Sequence, residues 1–205
     1  MKLVDLTHVL DENTPIYPGD YKTALAAYKT IEKDSYNAYL LKSGLHTGTH
    51  VDIPMHLTED TKFVAEYPLN SFIGRGVLFD VRGESIIQMK PSYKELTDEN
   101  SVVLLFTGFD TIYGKEEYFT EHPVVSYDLA EYLLSVRIKM LGMDIPAPDY
   151  APFAFHKELL KSGTLVLENL TNLQKLIGVE SFEVMALPLK INAEASFVRA
   201  VCIIN

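Results

Sequence analysis

Eight short runs rich in β-branched, aromatic and aliphatic residues, at 2–6, 36–41, 76–81, 102–107, 139–143, 164–167, 182–189 and 198–204, most constrain what this chain can fold into. Several are nearly all apolar, the pattern of strands covered on both faces. Helical signals are fewer. Ser126 is an N-cap for a helix over 127–136, where Leu129, Leu133 and Val136 keep i, i+4, i+7 spacing and Asp128 and Glu131 suit the positive N-terminal end. A short helix is expected over 91–96 and another over 153–161, the latter stopped by Gly163. Strands outnumber helices and alternate with them only in the middle of the chain. The fold class is therefore α/β with a mixed sheet and few helices, rather than a regular doubly wound one. No repeat, low-complexity segment or Gly/Ser linker divides the sequence, so residues 1–205 read as one domain.

Charge excludes several partners. The chain carries 18 Lys+Arg against 28 Asp+Glu, a formal net charge of −10, and no basic run exceeds two residues. Nucleic acids and anionic membranes draw binding free energy from clustered cations, so neither is an expected partner; a small-molecule substrate is. Hydrophobic residues at 47% and charged residues at 22% are ordinary for a globular domain. The lone Cys202 cannot pair within the chain and reads as a small buried apolar residue. Residues 1–5 lack the apolar stretch of a signal peptide, and no apolar run approaches the ~20 residues that span a bilayer. A cytoplasmic location is the expectation.

The chemistry concentrates in Leu45-His46-Thr47-Gly48-Thr49-His50-Val51-Asp52-Ile53-Pro54-Met55-His56. His46, His50, Asp52 and His56 all fall on even positions, a two-residue period. Gly48, Pro54 and the β-branched residues oppose a helix, so His46 and His50 are not two ligands on one helical face. Fully extended, their Cα atoms would stand about 13 Å apart at ~3.3 Å per residue, which is marginal for sharing one ion. The chain must bend, and Gly48 is the residue able to do so. Two neutral imidazoles and a carboxylate suit Zn²⁺ or Mn²⁺, and three protein ligands leave a position open for water, as in catalysis.

Residues 46–56 match the hallmark of the cyclase family of metal-dependent hydrolases, His-x-Gly-Thr-His-x-Asp-x-Pro-x-His, at every fixed position. Further likenesses lie in Asp5-Leu6-Thr7 with Tyr17-Pro18-Gly19-Asp20, in Gly142-Met143-Asp144-Ile145-Pro146, in Ala186-Leu187-Pro188-Leu189 and in Val198-Arg199-Ala200. The resemblance implies a swivelling β/β/α-like domain that self-associates as a homodimer or homotetramer. It also implies two divalent metal ions, zinc or manganese. His46, His50 and Asp52 would hold the first, with Asp52 bridging to a second completed by His156 and Glu168. His56 would be the catalytic acid/base. The expected activity is arylformamidase-like: hydrolysis of N-formyl-L-kynurenine or a related aryl formamide to formate and free amine. Kynurenine formamidases belong to tryptophan catabolism. The alternatives are hydrolysis of a cyclic amide or lactone on the same metals, as by isatin hydrolases, and a metal- or small-carboxylate-binding protein without turnover.

The pocket is less defined. Tryptophan is absent from the chain, so Tyr17, with Phe109 or Tyr113, is expected to serve as substrate-pocket residue where formamidases often carry Trp, although Phe109 fits core packing equally well. Where family formamidases have Asp-Gly-Ser-Pro, this chain has Glu194-Ala195-Ser196-Phe197, which alters a turn near a strand end. Asp144 reads as a turn or hydrogen-bonding residue outside the metal set. His8 reads as solvated or hydrogen-bonded, and His122 as a surface residue.

Overall fold

The computed structural model describes residues 1–204. In chain order the elements are β1 (Lys2–Asp5), β2 (Ala24–Lys29), α1 (Ile31–Asp34), β3 (Ala38–Lys42), β4 (His50–Asp52), β5 (Ile73–Asp80), β6 (Ile86–Ile87), α2 (Tyr93–Leu96) and β7 (Ser101–Phe106). They continue as α3 (Glu116–Thr120), β8 (Val124–Val125), α4 (Tyr127–Val136), β9 (Met140–Met143), α5 (Ala154–Lys161), β10 (Leu165–Glu168), β11 (Phe182–Met185), β12 (Ala195–Phe197) and β13 (Val201–Ile204). Among the described residues nine strands form one mixed sheet in the order β1, β13, β11, β5, β7, β9, β10, β4, β12. Its middle four, β5, β7, β9 and β10, are parallel. Both margins are antiparallel.

The apolar runs explain this layering. All of β7 is buried. Its Val102, Leu104 and Phe106 join one core cluster with Val51, Ile53 and Leu167, while Val103 and Leu105 join the other with Leu141 and Val166. Side chains alternate across a strand, so an uninterrupted apolar run feeds a core on each face. The second cluster is closed by Leu129, Ala130 and Leu133 of α4 and by Leu159 and Leu160 of α5. Ser126 caps α4 as the sequence implies, its side chain accepting from the Leu129 N–H. Gly163, at φ +88°, turns the chain from α5 into β10.

Four departures from the sequence reading have local causes. The expected strand over 182–189 ends at Met185 and that over 198–204 begins at Val201; between them Pro188 and Val198 form only an isolated bridge. Residues 195–197 become β12 because, without Gly and Pro, they can pair antiparallel with β4. β2 carries no sequence signal, since its Ala-rich run has weak β-propensity; it forms by pairing with β3 as a separate two-stranded ribbon. That ribbon exposes Tyr28, Tyr39 and Leu40. Among the described residues no helix is long and apolar enough to cross a membrane.

Close approach at β5 and β11 makes one position intolerant of any side chain. A Cβ on Gly76 would lie 2.0 Å from the Phe182 ring. Gly76→Ala should cost about 1–3 kcal/mol of stability. The urea midpoint should fall with little change in slope, and the loss should be smaller in a Phe182→Ala background; equal losses in both backgrounds would refute the steric account.

Candidate metal centre

Register assembles the centre. In the antiparallel pair of β4 and β10, His50 stands directly opposite Glu168, so their side chains share a face. Asp52 lies two residues beyond His50 and returns to that face. β9, α5 and β10 form a parallel crossover, so the first turn of α5, bearing His156, stands at the same end of the sheet as the last residue of β10, Glu168. That is why two potential ligands twelve positions apart in sequence meet. The end of α5 is fixed by Asp149, whose carboxylate accepts the Phe155 N–H at 2.8 Å. Gly48 takes φ +65°, and its bend brings the His46 ring to 5.1 Å from that of His50. His56 closes a single 3₁₀ turn, Pro54–His56, with Pro54 at its first position.

Two overlapping donor groups result: His46, His50 and Asp52, and Asp52, His156 and Glu168, with all ligand atoms of a group within 4.8 Å of one another. His46 Nδ1 is 3.0 Å and His50 Nε2 3.4 Å from Asp52 Oδ1. His156 Nε2 is 3.4 Å from Asp52 Oδ2, and His50 Nε2 is 3.3 Å from Glu168 Oε2. Atoms bound to one ion at about 2.0–2.2 Å are separated by such distances. Asp52, with one oxygen toward each group, sits where a bridge would.

The residues fit a cation on a direct observation. His50 Nδ1 stands 2.8 Å from the Gly48 carbonyl and can only donate to it. Its Nε2 therefore presents a lone pair to the oxygens of Asp52 and Glu168. His50 Nε2, both Asp52 oxygens, His156 Nε2 and Glu168 Oε1 are buried without a hydrogen-bond partner. Acceptors facing acceptors in a buried space are strongly unfavourable, and a divalent ion among them removes the conflict.

Titration tells the same story. Burial opposes the His46 cation, yet Asp52, Glu194 and Glu168 hold its pKa up at about 11. Burial likewise disfavours the Asp52 anion, but His46, His50 and His156 keep its pKa well below the usual carboxylate range. His156 is raised against its burial by Asp52 and Glu168. These shifts mark a cluster whose carboxylates favour positive charge beside them.

The centre opens on a cavity of about 410 Å³. His46, His56, His156 and Glu168 form its floor, and Tyr17, Phe119, Phe153 and Leu57 line its walls. The Tyr17 ring meets Phe119 edge-on at 5.9 Å and Phe153 at 6.4 Å. No Lys or Arg lines it among the described residues. Tyr17 lines the cavity, whereas Phe109 does not and packs, half-buried, against a core cluster, the other role that its sequence allows. Tyr113 stacks on His8 at 3.9 Å, away from this cavity. His122 is buried rather than on the surface, its Nδ1 3.1 Å from the Pro123 carbonyl and its ring against Tyr150. Asp144 accepts from Thr107 N and Oγ1 and from Gly108 N, tying the ends of β7 and β9 together; burial nevertheless pushes its carboxyl up to about 6. Sequence reasoning missed Phe119, Phe153 and Asn169. The last adopts φ +55° and donates its amide N–H to the Gly48 carbonyl, a use of the left-handed region for which Asn is suited.

Known proteins agree with this arrangement. Residues 4–150 match the family described as putative cyclase. A kynurenine formamidase of Bacillus cereus is 31% identical over 204 residues, spanning 97% of this chain and 95% of that protein. Among solved structures, an isatin hydrolase bound to the product analogue thioisatinate superposes with a TM-score of 0.87 at 23% identity, over 98% of this chain and 91% of that one. A potential metal-dependent hydrolase with cyclase activity superposes with a TM-score of 0.78 at 25% identity, over 100% and 98%. The chain belongs to the cyclase family of metal-dependent hydrolases.

Because metal must displace the His46 proton, apparent metal affinity should rise with pH, by about tenfold per unit between pH 6 and 8. Chelator-competition titrations across that range check it, and a flat profile would contradict the assigned cluster.

Proposed function

We propose that this protein is an arylformamidase-like amidohydrolase, which cleaves N-formyl-L-kynurenine or a related aryl formamide to formate and the free amine. One observation carries the reading: a buried His/Asp/Glu donor cluster opens on an aromatic-walled cavity with a further histidine, His56, beside it. Two divalent ions, zinc or manganese, would be held by His46, His50 and Asp52 and by Asp52, His156 and Glu168. Such ions acidify water toward a pKa of ~7 and polarise a carbonyl.

The chain's own residues do the rest. His56 Nε2 lies 3.9 Å from Asp52 Oδ2 and faces the cavity. Burial, with His46, His156 and His50 nearby, pushes its pKa down to about 4 against the pull of Asp52, so it is neutral at pH 7. A neutral imidazole takes a proton from the attacking water and returns it to the departing amine nitrogen. Tyr17, Phe119 and Phe153 present edges and faces to a flat aryl group and exclude water. On this reading the enzyme would act in the cytoplasm and serve tryptophan catabolism. The exposed Tyr28, Tyr39 and Leu40 of the β2–β3 ribbon support self-association as a homodimer or homotetramer.

His56→Ala should lose about 10²–10⁴ of turnover and keep its metal, whereas His50→Ala should lose both. Metal content by elemental analysis separates the two. A hydrolysis panel of formylkynurenine, simple formanilides and isatin with added Zn²⁺ or Mn²⁺ should show formanilide-type cleavage. Cleavage of isatin alone would replace the formamidase reading with ring-opening hydrolysis, and turnover of none would remove both.

A further inference from the structure

The segment Glu194-Ala195-Ser196-Phe197 runs beside the ligand strand. Ala195 of β12 stands opposite Asp52, and the Ile53 N–H donates to the Glu194 carbonyl at 3.2 Å. This pairing brings the Glu194 side chain to the outer edge of His46, with Oε1 3.3 Å from Nε2. On the opposite side of the same ring, Nδ1 faces Asp52 Oδ1 at 3.0 Å. His46 is thus held between two carboxylates, one buried and one 37% exposed.

A neutral imidazole carries one N–H and one lone pair, and only one of these edges can serve a metal. Asp52 also faces His50 and His156, so the Nδ1 edge is the one directed into the donor cluster. We infer that Glu194 is a positioning residue for the first metal: it accepts the His46 Nε2–H and thereby fixes the tautomer whose Nδ1 lone pair points at the ion. This rests on the reading of His46 as a ligand. His50 is held the other way round, its Nδ1 toward the Gly48 carbonyl and its Nε2 toward the cluster. The two ligands therefore have outer partners of different strength, a neutral carbonyl for His50 and a carboxylate for His46. A carboxylate partner raises the basicity of an imidazole ligand, so Glu194 strengthens the first site. Being partly solvated, it does so without adding a buried unpaired charge.

Zn²⁺ affinity by chelator competition, with the melting temperature of the metal-free protein, tests this on wild type, Glu194→Ala, Glu194→Gln and His46→Ala. Glu194→Ala should weaken the first site by about 10–100-fold while leaving the metal-free melting temperature nearly unchanged. Glu194→Gln keeps an acceptor oxygen without the charge, so it should preserve the tautomer and show a loss clearly smaller than that of Glu194→Ala. In the Zn²⁺-loaded wild type, long-range ¹H–¹⁵N correlation of the histidine rings should find the His46 proton on Nε2. Affinity of Glu194→Ala within twofold of wild type, a loss in Glu194→Gln as large as in Glu194→Ala, or a proton on Nδ1 would each overturn the inference. His46→Ala binding metal like wild type would instead overturn the reading of His46 as a ligand.

Discussion

Asp52 is the point on which the site depends. Its carboxylate is fully buried, unpaired by any hydrogen bond, and surrounded by His46, His50, His56 and His156. A lone carboxylate in such a place is too costly to ionise, and imidazole lone pairs turned toward it add to the cost. A divalent cation held by these donors would turn both penalties into attraction. The depressed Asp52 and raised His46 and His156 titrations are the same fact read from opposite partners.

Holding that arrangement falls to the sheet. The candidate ligands His50, Asp52 and Glu168 sit on strands, and His156 on the first turn of a helix whose far end is locked by Leu159 and Leu160 in the core. β4 is flanked on one side by β10 and on the other by β12, so its backbone groups are satisfied and its register cannot slip. A slip of one residue would turn His50 and Asp52 to the face occupied by Val51. The catalytic candidate His56 lies instead on a 3₁₀ turn, and of the cavity walls Tyr17, Leu57 and Phe153 lie outside the strands and helices while Phe119 stands on α3.

Much of this was legible in residues 46–56. The two-residue period places His50 and Asp52 on one face, and the need for a bend at Gly48 follows from distance alone; the φ of +65° there meets it. Ser126 as a cap and Gly163 as a stop were equally local matters, decided within a few residues. His122 was misjudged as a surface residue because burial depends on what packs over a residue, not on its neighbours in the chain. The Tyr150 ring that packs on it comes from elsewhere in the sequence.

The amino-acid sequence by itself therefore determined the chemistry of the donors, the bend that gathers the first of them, and a sheet with both faces covered. Those follow from side-chain type, backbone freedom and alternation, all short-range. Only the tertiary structure decided that Glu168 stands opposite His50, that Glu194 reaches the outer nitrogen of His46, and that Phe119 and Phe153 wall the cavity. Each is a consequence of strand register or chain crossover, which set distances between residues that the sequence keeps far apart.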